Sequence, residues 1–169
     1  MAGPKGDERA WVRGAQAGSA SDFEALFRAH WPNAYRTAYL VVHDAAAAED
    51  IAQEAFFAAV RNLDRFDRRR PFGPWLHRIV VNRAIDWSRR RALRGEVELH
   101  ESGVEQAPPD VGSDTVTRMR ELSPEHRAVI VMRHLLGYTP GEIARLLGLP
   151  RGTVNSRLRR GLDQLKERV

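Results

Sequence analysis

YTPGEIARLLGLPRGTVNSRLRRG, running from Tyr138 to Gly161, is the stretch on which the reading turns. Thr139 and Glu142 form a T-x-x-E capping box with Pro140 at the first helical position. Ile143, Leu146 and Leu147 then lay an apolar stripe along a short helix, and Gly148 supplies the left-handed residue that stops it. Pro150 can open a second helix in which Val154, Leu158, Leu162 and Leu165 recur at helical spacing. The other positions carry Arg151, Thr153, Asn155, Ser156, Arg157, Arg159 and Arg160, with no glutamate or lysine between Arg151 and Leu162. A merely solvated helix mixes acids and lysines among its charges. Two helices, a glycine turn, and a second helix of arginines and small polar residues describe a helix-turn-helix that reads DNA.

Composition narrows the rest. The 169 residues include no cysteine, which excludes disulfide frameworks and thiolate metal sites. The histidines (His30, His43, His77, His100, His126, His134) are dispersed without metal-ligand spacing, and surface or boundary positions are expected for them. No metal, cofactor or catalytic residue is expected. No apolar run approaches the roughly 20 residues that span a bilayer, and the N-terminus lacks a signal-peptide core, so a cytoplasmic protein without membrane insertion is expected. Charge is unevenly spread. Residues 1–91 hold 15 Lys/Arg against 11 Asp/Glu, residues 92–114 hold one against six, and residues 115–169 hold 11 against five. Two basic blocks around an acidic strap suit two modules that touch a polyanion.

The pattern is helical throughout, so an all-α fold is expected: an N-terminal helical bundle over residues 1–92, a mobile acidic linker over 93–114, and a helix-turn-helix domain over 115–169. A first helix over Asp7–Ala17 ends at Gly18. Ser21 and Glu24 read as a capping box for a second, which Pro32 is expected to bend or interrupt. Asp44 starts a third, with Ile51, Ala52, Ala55, Val60 and Leu63 inward. On its other side Asp50, Gln53, Glu54 and Phe57 fall together, and an exposed aromatic among acids suits a docking surface. The loop NLDRFDRRRPF (Asn62–Phe72) holds Arg68 and Arg69 beside Phe66. A long helix follows from Phe72 to about Ala92, with Phe72, Trp75, Leu76, Ile79, Val80 and Ala84 inward and Arg78, Asn82, Asp86 and Arg89 outward. Arginines interleaved with aromatics beside amides suit single-stranded DNA, with Trp75 in the core and Phe66 the candidate stacking platform.

Three motifs in this order resemble a bacterial RNA polymerase sigma factor of the extracytoplasmic-function type. They are AEDIAQEAFFAAVRNLDRFD (Ala48–Asp67), RPFGPWLHRIVVNRAIDWSRRR (Arg70–Arg91) and LSPEHRAVIVMRHLLGYTPGEIARLLGLPRGTVNSRLRRG (Leu122–Gly161). The resemblance implies that Asp50, Gln53 and Glu54, with Phe57 beside them, meet the clamp helices of the polymerase beta-prime subunit. It implies that Phe66, Arg68, Arg69, Arg78, Asn82 and Arg83 hold the non-template strand and a flipped base at the minus-ten element. Arg151, Thr153, Asn155, Ser156, Arg157, Arg159 and Arg160 would enter the major groove at the minus-thirty-five element, with the second domain against the beta flap. Core RNA polymerase, promoter DNA and an anti-sigma factor are the implied partners. The implied role is promoter-specific initiation for a stress or envelope-response regulon, with no catalysis by the chain itself. Two other readings compete: an autonomous helix-turn-helix regulator, and a DNA-processing enzyme with Asp50 and Glu54 as metal-binding acids.

Overall fold

A computed structural model describes residues 4–95, 108–109 and 112–167. Helix α1 (Pro4–Gln16) ends before Gly18, whose φ of +92° needs no Cβ. Helix α2 (Ala20–Val42) is capped by Ser19, whose side chain accepts from the Asp22 amide at 3.3 Å. The cap therefore falls two residues before the expected Ser21, and Glu24 instead pairs with Arg28 at 2.6 Å on the exposed surface. Pro32 does not interrupt α2. The donor it lacks would serve the Arg28 carbonyl, on a solvent-facing side where water can replace it. Asp44 caps α3 (Ala45–Asn62) by accepting from Ala47 N at 2.9 Å. Ile51, Ala52, Ala55, Phe56 and Ala59 are buried on α3, but Val60, expected inward, is 44% exposed. It lies one turn beyond Phe57 and extends that outer face. A short turn (Leu63–Arg65) leads through the loop to α4 (Phe72–Leu93). Phe72, Leu76, Val80 and Ala84 are buried there, whereas Trp75 and Ile79 are only half-buried.

The C-terminal half contains α5 (Ser113–Arg120), α6 (Pro124–His134), α7 (Pro140–Leu147) and α8 (Arg151–Lys166). Ser123 caps α6 through His126 N, and the Thr139–Glu142 capping box of α7 is reciprocal. Gly148 turns the chain at φ +64°, and Pro150 stands as the N-cap of α8, one residue outside it. Helix α8 crosses close to α6 at Gly161, where a Cβ would come within 2.7 Å of Ile130 Cδ1.

The two halves pack on each other. Helix α6 lies against α2 and α4, and α7 touches α4. Arg127 of α6 is 3% exposed and donates to the carbonyls of Met119 at 2.9 Å, Arg120 at 2.6 Å and, across the seam, Val41 at 2.8 Å. The Tyr138 hydroxyl meets His77 Nδ1 of α4 at 2.7 Å, and Arg89 of α4 pairs with Glu125 of α6 at 2.9 Å. The charge pattern suggested bodies joined by a strap, and the fold adds a shared interior between them. The expected mobility of the linker falls mostly on 96–107 and 110–111, outside the described residues. His43 and His77 are buried, against the surface or boundary positions expected of histidines here. His77 meets Tyr138, 61 residues away, and Arg127 and Arg120 of the other half lie near His43, which spacing cannot reveal.

Candidate nucleic-acid interface

Helix α8 buries Val154, Leu158 and Gly161 against α6 and α7, which turns its remaining sides outward. Arg151, Asn155, Arg159 and Arg160 are exposed, and Thr153, Ser156 and Arg157 are half-buried. Thr153, Ser156, Arg157 and Arg160 face Ser123, Glu125 and His126 across an open cleft at the start of α6. Burial, then Arg157 and Arg160, hold the His126 imidazole below its ordinary pKa. Burial is the larger cause, and the two guanidiniums add the positive charge that would suit a polyanion. All seven residues expected on the reading face are thus on one helix and at least partly accessible.

The second basic site is a groove between the end of α3, the following loop and α4. Asn62, Arg65, Phe66, Trp75, Arg78, Ile79, Asn82, Arg83 and Asp86 line it. Here the aromatic roles differ from expectation. Phe66 is 9% exposed, with its ring 4.6 Å from that of Trp75 and 5.9 Å from that of Phe72. Trp75 covers Phe66 and is the more accessible ring. The loop explains this: its short turn carries Leu63 and Phe66 inward together. Arg78 and Asn82 stand exposed on successive turns of α4, and Arg83 pairs with Glu54 at 2.9 Å. In the loop, Arg69 grips Asp67 with two side-chain bonds of 3.0 and 3.2 Å. Those bonds and the Arg69 amide hold Asp67 below its usual carboxylate range. Arg68 is exposed beside them. The arginine run at the end of α4 is partly engaged within the chain, through Arg89–Glu125 and through Arg91, which meets Asp44 at 3.3 Å and lies over the Trp87 ring.

Next to this groove, Asp50, Gln53 and Glu54 are exposed on α3, and Phe57 is 64% exposed. Phe57 and Val60 form an apolar strip flanked by Glu54, Arg61 and Arg83. The Glu54–Arg83 pair is the seam between this strip and the groove. Among the described residues no set of three or more His, Cys, Asp or Glu could hold a metal ion. Asn62, Arg65, Trp75, Ile79 and Asp86 in the groove and Val60 on the strip are residues the sequence reading did not choose as site residues. Asp86 had a signal in its outward spacing with Arg78 and Asn82, and Val60 in its spacing of three from Phe57.

Comparison with known proteins gives this geometry a context. The Sigma-70 region 2 model matches residues 26–94, and the Sigma-70, region 4 model matches residues 115–165. The ECF RNA polymerase sigma factor SigL of Mycobacterium tuberculosis is 35% identical over 164 residues, covering 92% of this chain and 93% of its own. SigE of Mycolicibacterium smegmatis is 34% identical over 165 residues, covering 91% of this chain, which spans 63% of that protein's length. Among solved structures, CnrH in complex with the cytosolic domain of CnrY superposes with a TM-score of 0.73 at 28% identity, over 95% of this chain and 96% of that one. The sigma factor RpoE of Bartonella quintana, solved with the anti-sigma factor NepR, shares the fold with a TM-score of 0.69 at 22% identity, over 88% and 96% of the two chains. None of the described helices is long and apolar enough to cross a membrane. The region 2 and region 4 matches, in this order, and the identity with SigL over nearly the whole chain place it in the extracytoplasmic-function family of RNA polymerase sigma factors, which bind core polymerase and direct promoter-specific initiation.

Proposed function

We propose a division of labour among the three surfaces. The Asp50, Gln53, Glu54 and Phe57 face of α3 docks on the clamp helices of the polymerase. The α4 groove, with Arg78, Asn82 and Arg83 and with Arg68 and Arg69 at its mouth, takes the non-template strand at the minus-ten element. Trp75, rather than the covered Phe66, offers the aromatic face to a base. Helix α8 reads the minus-thirty-five element. Asn155 suits an adenine edge, and the arginines suit guanine edges or phosphates. The observation that carries this reading is the adjacency of docking strip and groove across the Glu54–Arg83 pair. Polymerase contact and strand capture would then share one rigid body.

The chain acts in this reading by binding alone, in the cytoplasm, while the polymerase performs nucleotidyl transfer. An anti-sigma protein is the proposed regulator, by extension from the partner-bound CnrH structure.

Run-off transcription with reconstituted holoenzyme tests the assignment. Asp50→Ala with Glu54→Ala is expected to abolish polymerase association while the circular dichroism spectrum is kept. Arg157→Ala is expected to weaken promoter binding by about 1–3 kcal/mol with polymerase association intact. Normal transcription from the double variant would move the docking face elsewhere.

A further inference from the structure

Helix α1 lies before the region 2 match, which begins at Leu26. It nevertheless reaches the groove. Gln16, the last residue of α1, donates from Nε2 to the Leu63 carbonyl at 3.0 Å and to the Phe66 carbonyl at 3.0 Å. Those carbonyls bracket the turn that forms one wall of the groove, and Phe66 N donates to the Leu63 carbonyl at 3.0 Å where the turn ends. An amide nitrogen has two hydrogens, and here both are used. The opposite amide orientation would set an oxygen against two carbonyl oxygens, so the chemistry fixes which atom faces the loop. One side chain therefore holds both ends of the turn. Val12 is buried behind it, and α1 packs closely on α2 at Gly14, where a Cβ would collide with the Asp22 side chain.

We infer that Gln16 is a positioning residue for base selection at the minus-ten groove, because it sets the place of Phe66 and hence of the Trp75 ring stacked on it. This rests on the proposed reading of the groove as the strand-capture site. A loop of six residues (66–71) between the turn and α4 has several accessible shapes. The two carbonyl contacts select the one in which Phe66 backs Trp75 at 4.6 Å. Without them the wall opens, Trp75 loses its support, and bases of different size and edge chemistry fit with similar ease.

The test uses holoenzyme reconstituted with core polymerase and four fluorescent 12-mers of dT that differ only in one central base (dA, dC, dG or dT). Anisotropy titration gives the ratio of the tightest to the weakest affinity. Gln16→Met keeps length and removes both donors. It is expected to shrink the wild-type ratio at least threefold while association with core polymerase and with duplex minus-thirty-five DNA stays unchanged. Val12→Ala loosens α1 without touching the turn, and is expected to lower the melting temperature and leave the ratio as in wild type. Gln16→Asn, whose shorter amide spans the two carbonyls less well, is expected to fall between and carries the test alone if Gln16→Met does not fold. A Gln16 variant with the wild-type ratio overturns the inference while sparing the groove assignment. A wild-type holoenzyme with no preference among the four overturns both.

Discussion

Arg127 shows how one side chain can join two parts of a small protein. Its guanidinium is buried and bonds the backbone carbonyls of Met119, Arg120 and Val41, the last 86 residues away in sequence. The planar fork suits three carbonyls in three directions, which a lysine ammonium on one flexible stem does not match. Arg127→Met retains most of the volume but leaves those acceptors without their donor, a loss of about 3 kcal/mol. Urea unfolding is the measurement, and an unchanged midpoint would show that water replaces the guanidinium at no cost. The same interior controls two imidazoles. Burial, then Arg127 and Arg120, push His43 down to about 3, and neither of its ring nitrogens has a hydrogen-bond partner among the described residues. Burial, then His30, push His77 down to about 4, and its Nδ1 shares a hydrogen bond with the Tyr138 hydroxyl, itself pushed up by burial and then Glu142. Both folded values lie below the unfolded value of 6.5. The folded state therefore refuses protons that the unfolded state takes, and stability is complete above that value and falls as pH drops below it. By pH 5 each group is expected to cost about 2 kcal/mol. His43→Asn keeps a residue that tolerates the left-handed conformation and is expected to halve the slope. Denaturation midpoints at pH 7 and 5 decide this, since equal midpoints would mean that both imidazoles are solvated in the fold.

At the scale of elements, what could be read from the sequence was what is local. The α7 capping box, the Gly148 stop, the Asp44 cap and the Val154–Leu158 start of the α8 stripe depend on residues within one or two turns of each other, and these appear where spacing put them. Thr139→Ala removes one side of that box and is expected to cost about 1 kcal/mol in thermal unfolding. It should also weaken minus-thirty-five binding, because α7 supports α8. A variant with wild-type stability would make the box incidental. Errors arose where the deciding contact was distant or two local signals competed. Ser19 and Ser21 both precede an acid by three residues, and only the Gly18 turn determines which of them caps α2. Val60 fits the inward stripe of α3 by spacing but lies on the outer side with Phe57, since Phe56 and Ala59 already fill the interface. The exposed face of Asp50, Gln53, Glu54 and Phe57 was legible because acids around an aromatic are conspicuous on a helix. The depth of Phe66 was not, because Gln16, which holds its loop, lies 50 residues earlier.

For the molecule as a whole, the packed halves pose a problem of distance. Minus-ten and minus-thirty-five elements are separated by roughly 25 base pairs, on the order of 85 Å of duplex at 3.4 Å per pair. A packed chain of this length has a radius of gyration of about 15 Å and is about 40 Å across. On the proposed assignment of the α4 groove to the minus-ten element and α8 to the minus-thirty-five element, the two cannot reach both elements at once with α6 seated on α2 and α4. The seam has to open when the polymerase spreads the two halves along a promoter, and its contacts suit that task. Arg89–Glu125 is half-exposed on the arginine side and worth at most about 1 kcal/mol, and His77–Tyr138 is a single neutral bond. Arg127 keeps two of its three carbonyls within its own half and gives up only Val41. Breaking these polar contacts costs little, so the apolar burial of α6 against α2 and α4 is the main cost of opening. The chain contains no cysteine, so Arg89→Cys with Glu125→Cys can be joined selectively by a short, reducible bis-maleimide. The joined protein is expected to associate with core polymerase through α3 as well as the wild type does, yet to lose at least tenfold in run-off transcription from a promoter that needs both elements. Reduction of the link is expected to restore it. Undiminished transcription by the joined protein would mean that the two halves work while packed, and the distance argument would then fail.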